Sequence, residues 1–421
     1  MSATTFLAPF GDLTPEQRRV VTADVSGHRV IFGPPGSGKT LVLIHRAAHL
    51  AAHHKVNSDR YRVVVFTNVL KDYIRAGLDF LGIPVDTVTT FDALCQNLYT
   101  DHIGRRVPRD DENNRPDFDA IRQAVLQMLK QGGSPHRSLD FVVVDEGQDL
   151  PRQAYAILNL LAWHVTVFAD PKQRIFAEGA SEPQILAGLG LQRRSGAMLA
   201  AFRNSPDVGR LAAWFIANEN DQTEYLAQIK NVSAPRERPL LYLAASMEDE
   251  ADRLATAVRQ RQSLNQRVGI IVPRSTAVFG LSNALAARGV AVERAVPPSR
   301  RGGSDWAGVR FDTAAPKIAT YHSAKGLTFD AVFLPRLTRG AFRHGEQKDD
   351  VVRLLFVGIS RATQWVYLST EEGDELAELD LLRKAAGKGH LVLQRHSDHA
   401  SQGTAPVAGD ADDYDDEVSL F

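Results

Sequence analysis

One cysteine, Cys95, stands among 421 residues. A single thiol closes no internal disulfide, which fits a reducing, cytoplasmic setting. Cys95 itself is expected to be a small buried apolar residue. No run of 18 apolar residues occurs, so no membrane-spanning helix is expected. The opening stretch, "MSATTFLAPFGDLTPEQ", has no basic segment followed by an apolar one, so no secretory leader is expected. No repeat of fixed period is visible. The histidine groups "HHK" (53–55) and "HSDH" (396–399) lack a completing set of cysteines or acids, so neither is expected to bind a metal. Net charge is nearly absent as well, at −1. That balance hides an asymmetry. Residues 410–421, "DADDYDDEVSLF", carry six acids and no base, so the rest of the chain has a formal charge of +5.

What is present is an ordinary globular composition, 44% apolar and 24% charged, long enough for two or three cores. Short apolar runs read as buried strands: "HRVIF" (28–32), "RVVVF" (62–66), "DFVVVD" (140–145), "HVTVFAD" (164–170), "PLLYLAA" (239–245), "RVGIIVP" (267–273) and "DAVFLP" (330–335). Helical patterns lie between them, including 41–53, 248–262 and 276–288. Buried strands alternating with helices predict an α/β fold with parallel sheets. Both halves share this character, which predicts two tandem domains meeting near 177–190. The expected division is 1–180, 181–380 and a C-terminal extension, 381–421, whose polar, acidic end is read as disordered.

Two motifs carry chemistry. "GPPGSGKT" (33–40) follows a strand and opens a helix, the context a phosphate-binding loop requires. Gly33, Gly36 and Gly38, with Pro34, Pro35 and Ser37 between them, let backbone N–H groups wrap phosphates at a helix N-terminus. Lys39 would reach the β- and γ-phosphates, and Thr40 would ligate Mg²⁺. The second motif is "VVVDEGQDL" (142–150), three valines running into acids. Ligands of parallel sheets gather at the carboxyl ends of strands, so these acids should emerge beside the γ-phosphate. Asp145 can then hold Mg²⁺ through water, and Glu146 can orient and deprotonate the attacking water.

Together these motifs resemble superfamily 1 helicases, and within them the UvrD/Rep/PcrA family. Further matches run in order along the chain. "LTPEQRRVV" (13–21) resembles the motif whose glutamine, here Gln17, reads adenine. "VVFTNVLKDYI" (64–74) and "TTFDAL" (89–94) resemble two strand-contacting motifs, which implies DNA contacts for Phe66, Thr67, Asn68, Thr90 and Phe91. "VFADPKQRIF" (167–176) resembles the motif whose glutamine, Gln173, senses the γ-phosphate. "LAAFRNS" (199–205) places Phe202 on adenine and Arg203 at the γ-phosphate. "TYHSAKGLTFDAVFLP" (320–335) implies His322 at the strand and Gly326 at the nucleotide. "LLFVGISRAT" (354–363) offers Arg361 as a second arginine for the γ-phosphate. The resemblance implies two RecA-like domains, ATP and Mg²⁺ as cofactors, single-stranded DNA as partner and 3′→5′ movement. Gln148 is expected to report nucleotide state to the second domain; capping a turn is its simpler role.

The chain also departs from the family. "IFAEGA" (175–180) lacks the base-stacking tryptophan. Thr328 replaces a ribose-contacting glutamate, and Gly147 stands where phenylalanine is common. Two accessory domains are reduced to segments of about 50 and 25 residues, near 95–138 and 296–316. Arg105, Arg106, Arg109, Arg300 and Arg301 in these segments are candidates for phosphate contacts. Such a trimmed motor leaves a second expectation open: a regulatory ATPase subunit that senses DNA or nucleotide and controls a partner, such as a nuclease in genome defence or repair. A protein partner could also supply the missing duplex engagement. The tail 410–421 resembles both a sliding-clamp motif and the acidic tip of a single-stranded-DNA-binding protein.

Overall fold

The computed structural model describes residues 8–110, 114–132, 134–170, 179–197, 204–229, 237–295, 309–342 and 348–400. Thirteen strands lie among them. The first six are β1 (Arg29–Phe32), β2 (Tyr61–Val65), β3 (Val88–Thr90), β4 (Leu139–Val144), β5 (Ala162–Ala169) and β6 (Gly196–Ala197). They form one sheet in the order β3-β2-β4-β5-β1-β6, with every neighbouring pair parallel. The remaining seven are β7 (Leu240–Ala244), β8 (Val268–Val272), β9 (Glu293–Ala295), β10 (Lys317–Thr320), β11 (Phe329–Leu334), β12 (Ala362–Glu371) and β13 (Val392–Arg395). These make a second parallel sheet in the order β13-β7-β12-β11-β8-β10-β9. The α/β class with two RecA-like parallel sheets is the observed architecture.

Strands buried on both faces explain the unbroken apolar runs. Val142, Val143 and Val144 are all fully buried. The domain limits differ from expectation. β6 joins the first sheet, so the break at 180/181 falls inside the first lobe's chain. β13 pairs with β7, so the part of the 381–421 extension up to Arg395 is integral to the second sheet. A helix, His396–Ala400, follows it. The tail 410–421 lies outside the described residues.

Helix starts follow local rules. Thr14, Thr67, Thr90 and Thr320 each accept a bond from the backbone N–H of the residue three further on. Such caps are each worth about 1 kcal/mol. Three of them sit where a strand hands over to a helix: after β2, β3 and β10. Of the two reduced accessory regions, the first holds the helices Phe91–His102 and Phe118–Lys130, joined through Arg122 to Asp92 at 2.8 Å. The described end of the second folds onto the first lobe. The Val309 N–H donates to Asp72 at 3.3 Å, and the Phe311 ring meets Tyr73 edge-on at 5.1 Å. Among the described residues no helix is long and apolar enough to cross a membrane.

Candidate active site

The phosphate loop leaves β1 and enters the helix Lys39–His53. Gly36 (φ 78°) and Gly38 (φ 85°) adopt left-handed backbone, which side chains disfavour. At Gly38 a Cβ would also lie 2.8 Å from the Gln17 amide nitrogen, so that side chain would have to shift. Gln17 is buried against this loop. Its Nε2 donates to the Ser37 carbonyl at 3.0 Å, and its Oε1 accepts from Thr14 N at 2.9 Å. Its amide therefore braces the loop, a contact that the adenine-reading expectation did not include.

Lys39 Nζ donates to the Gly33 and Pro34 carbonyls at 2.8 and 3.1 Å and lies 3.8 Å from Asp170. Thr40 Oγ1 donates to Asp145 Oδ2 at 2.7 Å. A hydroxyl and a carboxylate already in contact beside a phosphate loop fit Mg²⁺. That ion takes few protein oxygens and keeps several waters. Burial, with Glu146 beside it, pushes the Asp145 carboxyl up to about 6.

Glu146 sits at φ 49° and is almost fully buried. Left-handed backbone at a non-glycine residue is strained, and such strain clusters at functional sites. Burial would raise its carboxyl, but Lys325, then Lys39 and Arg361, outweigh burial and hold it below its ordinary value. It is thus ionised and able to accept a proton or orient water. Gln148 donates to Glu146 Oε2 at 2.5 Å and accepts from Asp170 N at 2.8 Å. Both bonds stay within the first lobe, so they position Glu146 and do not themselves reach the second domain.

Asp149 crosses the cleft instead. Its carboxylate pairs with Lys325 at 2.7 Å, with both side chains buried. Burial pushes Asp149 up to about 7, against the pull of Lys325. Next to Lys325, Gly326 (φ 80°) packs on the first lobe, where a Cβ would lie 2.8 Å from Leu70. Arg361 immediately precedes β12. It donates to the Val357 carbonyl and the Ser360 hydroxyl, both at 3.0 Å. Pro35, Gly36, Gly38, Lys39, Thr40, Glu146, Gly326 and Arg361 together line one narrow cavity of about 20 Å³. A larger cavity of about 490 Å³ is walled by Tyr73, Phe311, Arg267 and Lys317. It includes Thr328 but none of the phosphate-loop residues.

Gln173, Phe202 and Arg203 lie outside the described residues, as do Arg300, Arg301 and most of "IFAEGA". Asn204, the neighbour of Arg203, straddles Arg361, donating to the Ser360 and Ala362 carbonyls at 3.0 and 2.6 Å. Asn204, Asp170, Lys325 and Asp149 were not singled out by the sequence analysis. All four sit inside or beside quoted motifs, which was the signal available.

The strand-contact residues divide. Phe66 and Thr67 are partly exposed and Asn68 is exposed, all after β2; Thr90, which ends β3, and His322, after β10, are partly exposed. Phe91 is a correction. Its ring is 2% exposed in the core with Val30, Leu94 and Val144, so it is not presented to a strand. Arg105 and Arg106 are exposed, while Arg109 bonds the Asn114 carbonyl of its own loop. Cys95 is fully buried, as expected, and burial pushes its thiol well up. Gly147 also has a reason. A Cβ there would meet Val167 at 2.4 Å, and Tyr155 donates to the Gly147 carbonyl, so no side chain fits.

A phosphate loop on one lobe, with Gly326 and Arg361 from the other closing on the same cavity, defines a two-lobed P-loop nucleoside triphosphatase. The sequence matches the model of the UvrD/REP helicase N-terminal domain over residues 13–131 and 107–189. It matches that of the UvrD-like helicase C-terminal domain over residues 318–369. The chain belongs to the UvrD/Rep helicase family and is an ATP-dependent enzyme of helicase type. Among solved structures, the C-terminal domain of a possible DNA helicase from Lactobacillus plantarum is similar. Identity is 18%, coverage 46% of this chain and 99% of that one, and the TM-score 0.33. No curated protein matches the sequence.

Proposed function

We propose that this chain uses ATP and Mg²⁺ to move 3′→5′ along single-stranded DNA. The observation that supports it best is the cavity shared by Lys39, Thr40 and Glu146 from one lobe and Gly326 and Arg361 from the other. Phosphoryl transfer needs positioning and charge stabilisation more than covalent help. Glu146 would orient a water and take its proton. Lys39 and Arg361 would stabilise charge on the γ-phosphate oxygens, and Arg203 is assigned there by its motif. Thr40 and Asp145 would hold Mg²⁺, which would supply positive charge to offset that of the phosphates. A space of about 20 Å³ does not admit a nucleotide. The lobes would therefore part to take ATP and close on it again, with product release resetting them. Phe66, Thr67, Asn68, Thr90 and His322 would carry the strand at the carboxyl ends of β2, β3 and β10, so each cycle would shift it.

The compact accessory regions favour a second reading, a DNA-sensing regulatory ATPase with little unwinding of its own. One pair of assays separates the two. A motor should show ATPase activity raised severalfold by single-stranded DNA and should displace a strand from a 3′-tailed duplex. ATPase activity that ignores DNA would favour the regulator.

A further inference from the structure

Tyr225, on the helix Glu219–Gln228 of the second lobe, is 3% exposed, and its hydroxyl has no hydrogen-bond partner. Buried hydroxyls are nearly always paired, so an orphan calls for an explanation. The ring is held edge-on against Phe356 at 5.6 Å, so its position is fixed. It lines a cavity of about 260 Å³ whose other walls include Pro34, Pro35, Asp221 and Arg353. Pro35 also lines the narrow Lys39–Glu146–Arg361 cavity, so both spaces border the phosphate loop.

Orientation along the loop follows from its contacts. Gln17 marks the Ser37–Gly38 side. Lys39 Nζ, the group that meets β- and γ-phosphates, sits at the Gly33 and Pro34 carbonyls. Tyr225 is therefore on the γ-phosphate side. The charges acting on its hydroxyl agree, being Arg361 of its own lobe and Asp170, the neighbour of Lys39.

We propose that Tyr225 donates a hydrogen bond to the terminal phosphate of the bound triphosphate, as a catalytic residue beside Arg361. Burial pushes its hydroxyl well above the ordinary tyrosine value, so it stays protonated and donates without giving up its proton. The nucleotide would supply the acceptor that the protein does not. No motif in the sequence analysis includes this residue. The assignment rests on the ATP-hydrolysing reading and deepens it.

Tyr225→Phe keeps the ring on Phe356 and removes only the orphan hydroxyl. Thermal stability should not fall. ADP affinity should stay within about twofold, while kcat for ATP and the affinity for ADP with aluminium fluoride should each drop about tenfold. Unchanged kcat together with unchanged fluoroaluminate affinity would overturn the proposal. So would equal weakening of ADP and its fluoroaluminate complex, which would make Tyr225 a packing residue. A parent protein that binds but does not hydrolyse ATP would instead sink the wider reading. The ratio of ATP to ADP affinity in the two proteins would then judge Tyr225: a smaller ratio in the variant supports it, an equal ratio refutes it.

Discussion

The first sheet turns the carboxyl ends of β1 and β4 toward the cleft, bearing the phosphate loop and the acids. The second turns the amino ends of β11 and β12 toward it, bearing Lys325, Gly326 and Arg361. Both sheets are parallel and similar in size, yet among the described residues only the first has a glycine loop that can wrap phosphates. The second supplies cations on the turns that enter its strands. A parallel α/β unit can thus serve one site from either edge. The carboxyl edge supplies the phosphate loop and the acids, and the amino edge supplies Gly326 and Arg361 to the same cavity.

The comparison breaks most directly at Glu146. Glu146→Gln should keep ATP affinity and lower turnover about a thousandfold, the size expected for a lost general base. Unchanged turnover would assign proton abstraction elsewhere. Next is the bond between lobes. Lys325→Met leaves Asp149 buried without its cation, which should cost about 3 kcal/mol in urea unfolding. Adding Asp149→Leu should recover at least half of that loss, because a pair of apolar side chains needs no desolvated partner. No loss in the single variant would show that the lobes do not depend on this pair. Arg361→Ala would remove one of the contributions proposed for the second lobe. Steady-state ATPase should fall about a hundredfold, less than a lone arginine finger supplies because Arg203 would share the task. A fall below tenfold would take Arg361 out of the mechanism.

The smallest effect sharpens the first lobe's interior. Arg46 is fully buried with no carboxylate partner. It donates to the carbonyls of Val20, Val21, Ala23 and Asp24, bonds Thr166, and meets His164 Nε2 at 2.9 Å. Burial, then Arg46, depresses His164 to about 3. The histidine stays neutral in the fold but takes a proton in the unfolded chain below its ordinary value of 6.5. Its contribution is therefore full above pH 6.5 and lost as pH falls toward 3. The expected slope is about 1.4 kcal/mol per pH unit. His164→Gln should flatten this slope in unfolding curves taken at pH 7, 6 and 5; an unchanged slope would place the acid sensitivity in other groups.

Much of the fold was legible because parallel strands buried on both faces must be apolar along their length. β12 escaped the sequence reading for the converse reason. Ser369 and Thr370 interrupt its apolar run yet are fully buried, satisfied by Glu250 at 2.7 Å and the Leu337 carbonyl at 2.8 Å. β6 and β9, at two and three residues, are too short to show a pattern of their own. Phe91 misled because it follows Thr90 in a strand-contact motif; burial of its ring depends on helices packed later in the chain.

The phosphate loop, Thr40 at its end and the acids after β4 were set by local order: strand, tight turn, helix. Their geometry follows from backbone preferences over a few residues, so they can be read without a fold. Packing alone decided that Asp149 meets Lys325, that Gln17 braces Ser37 and that Tyr225 stands unpartnered by the phosphate loop. Those relations join residues far apart in the chain. Their energies come from burying charge and hydroxyl together, which no local pattern records.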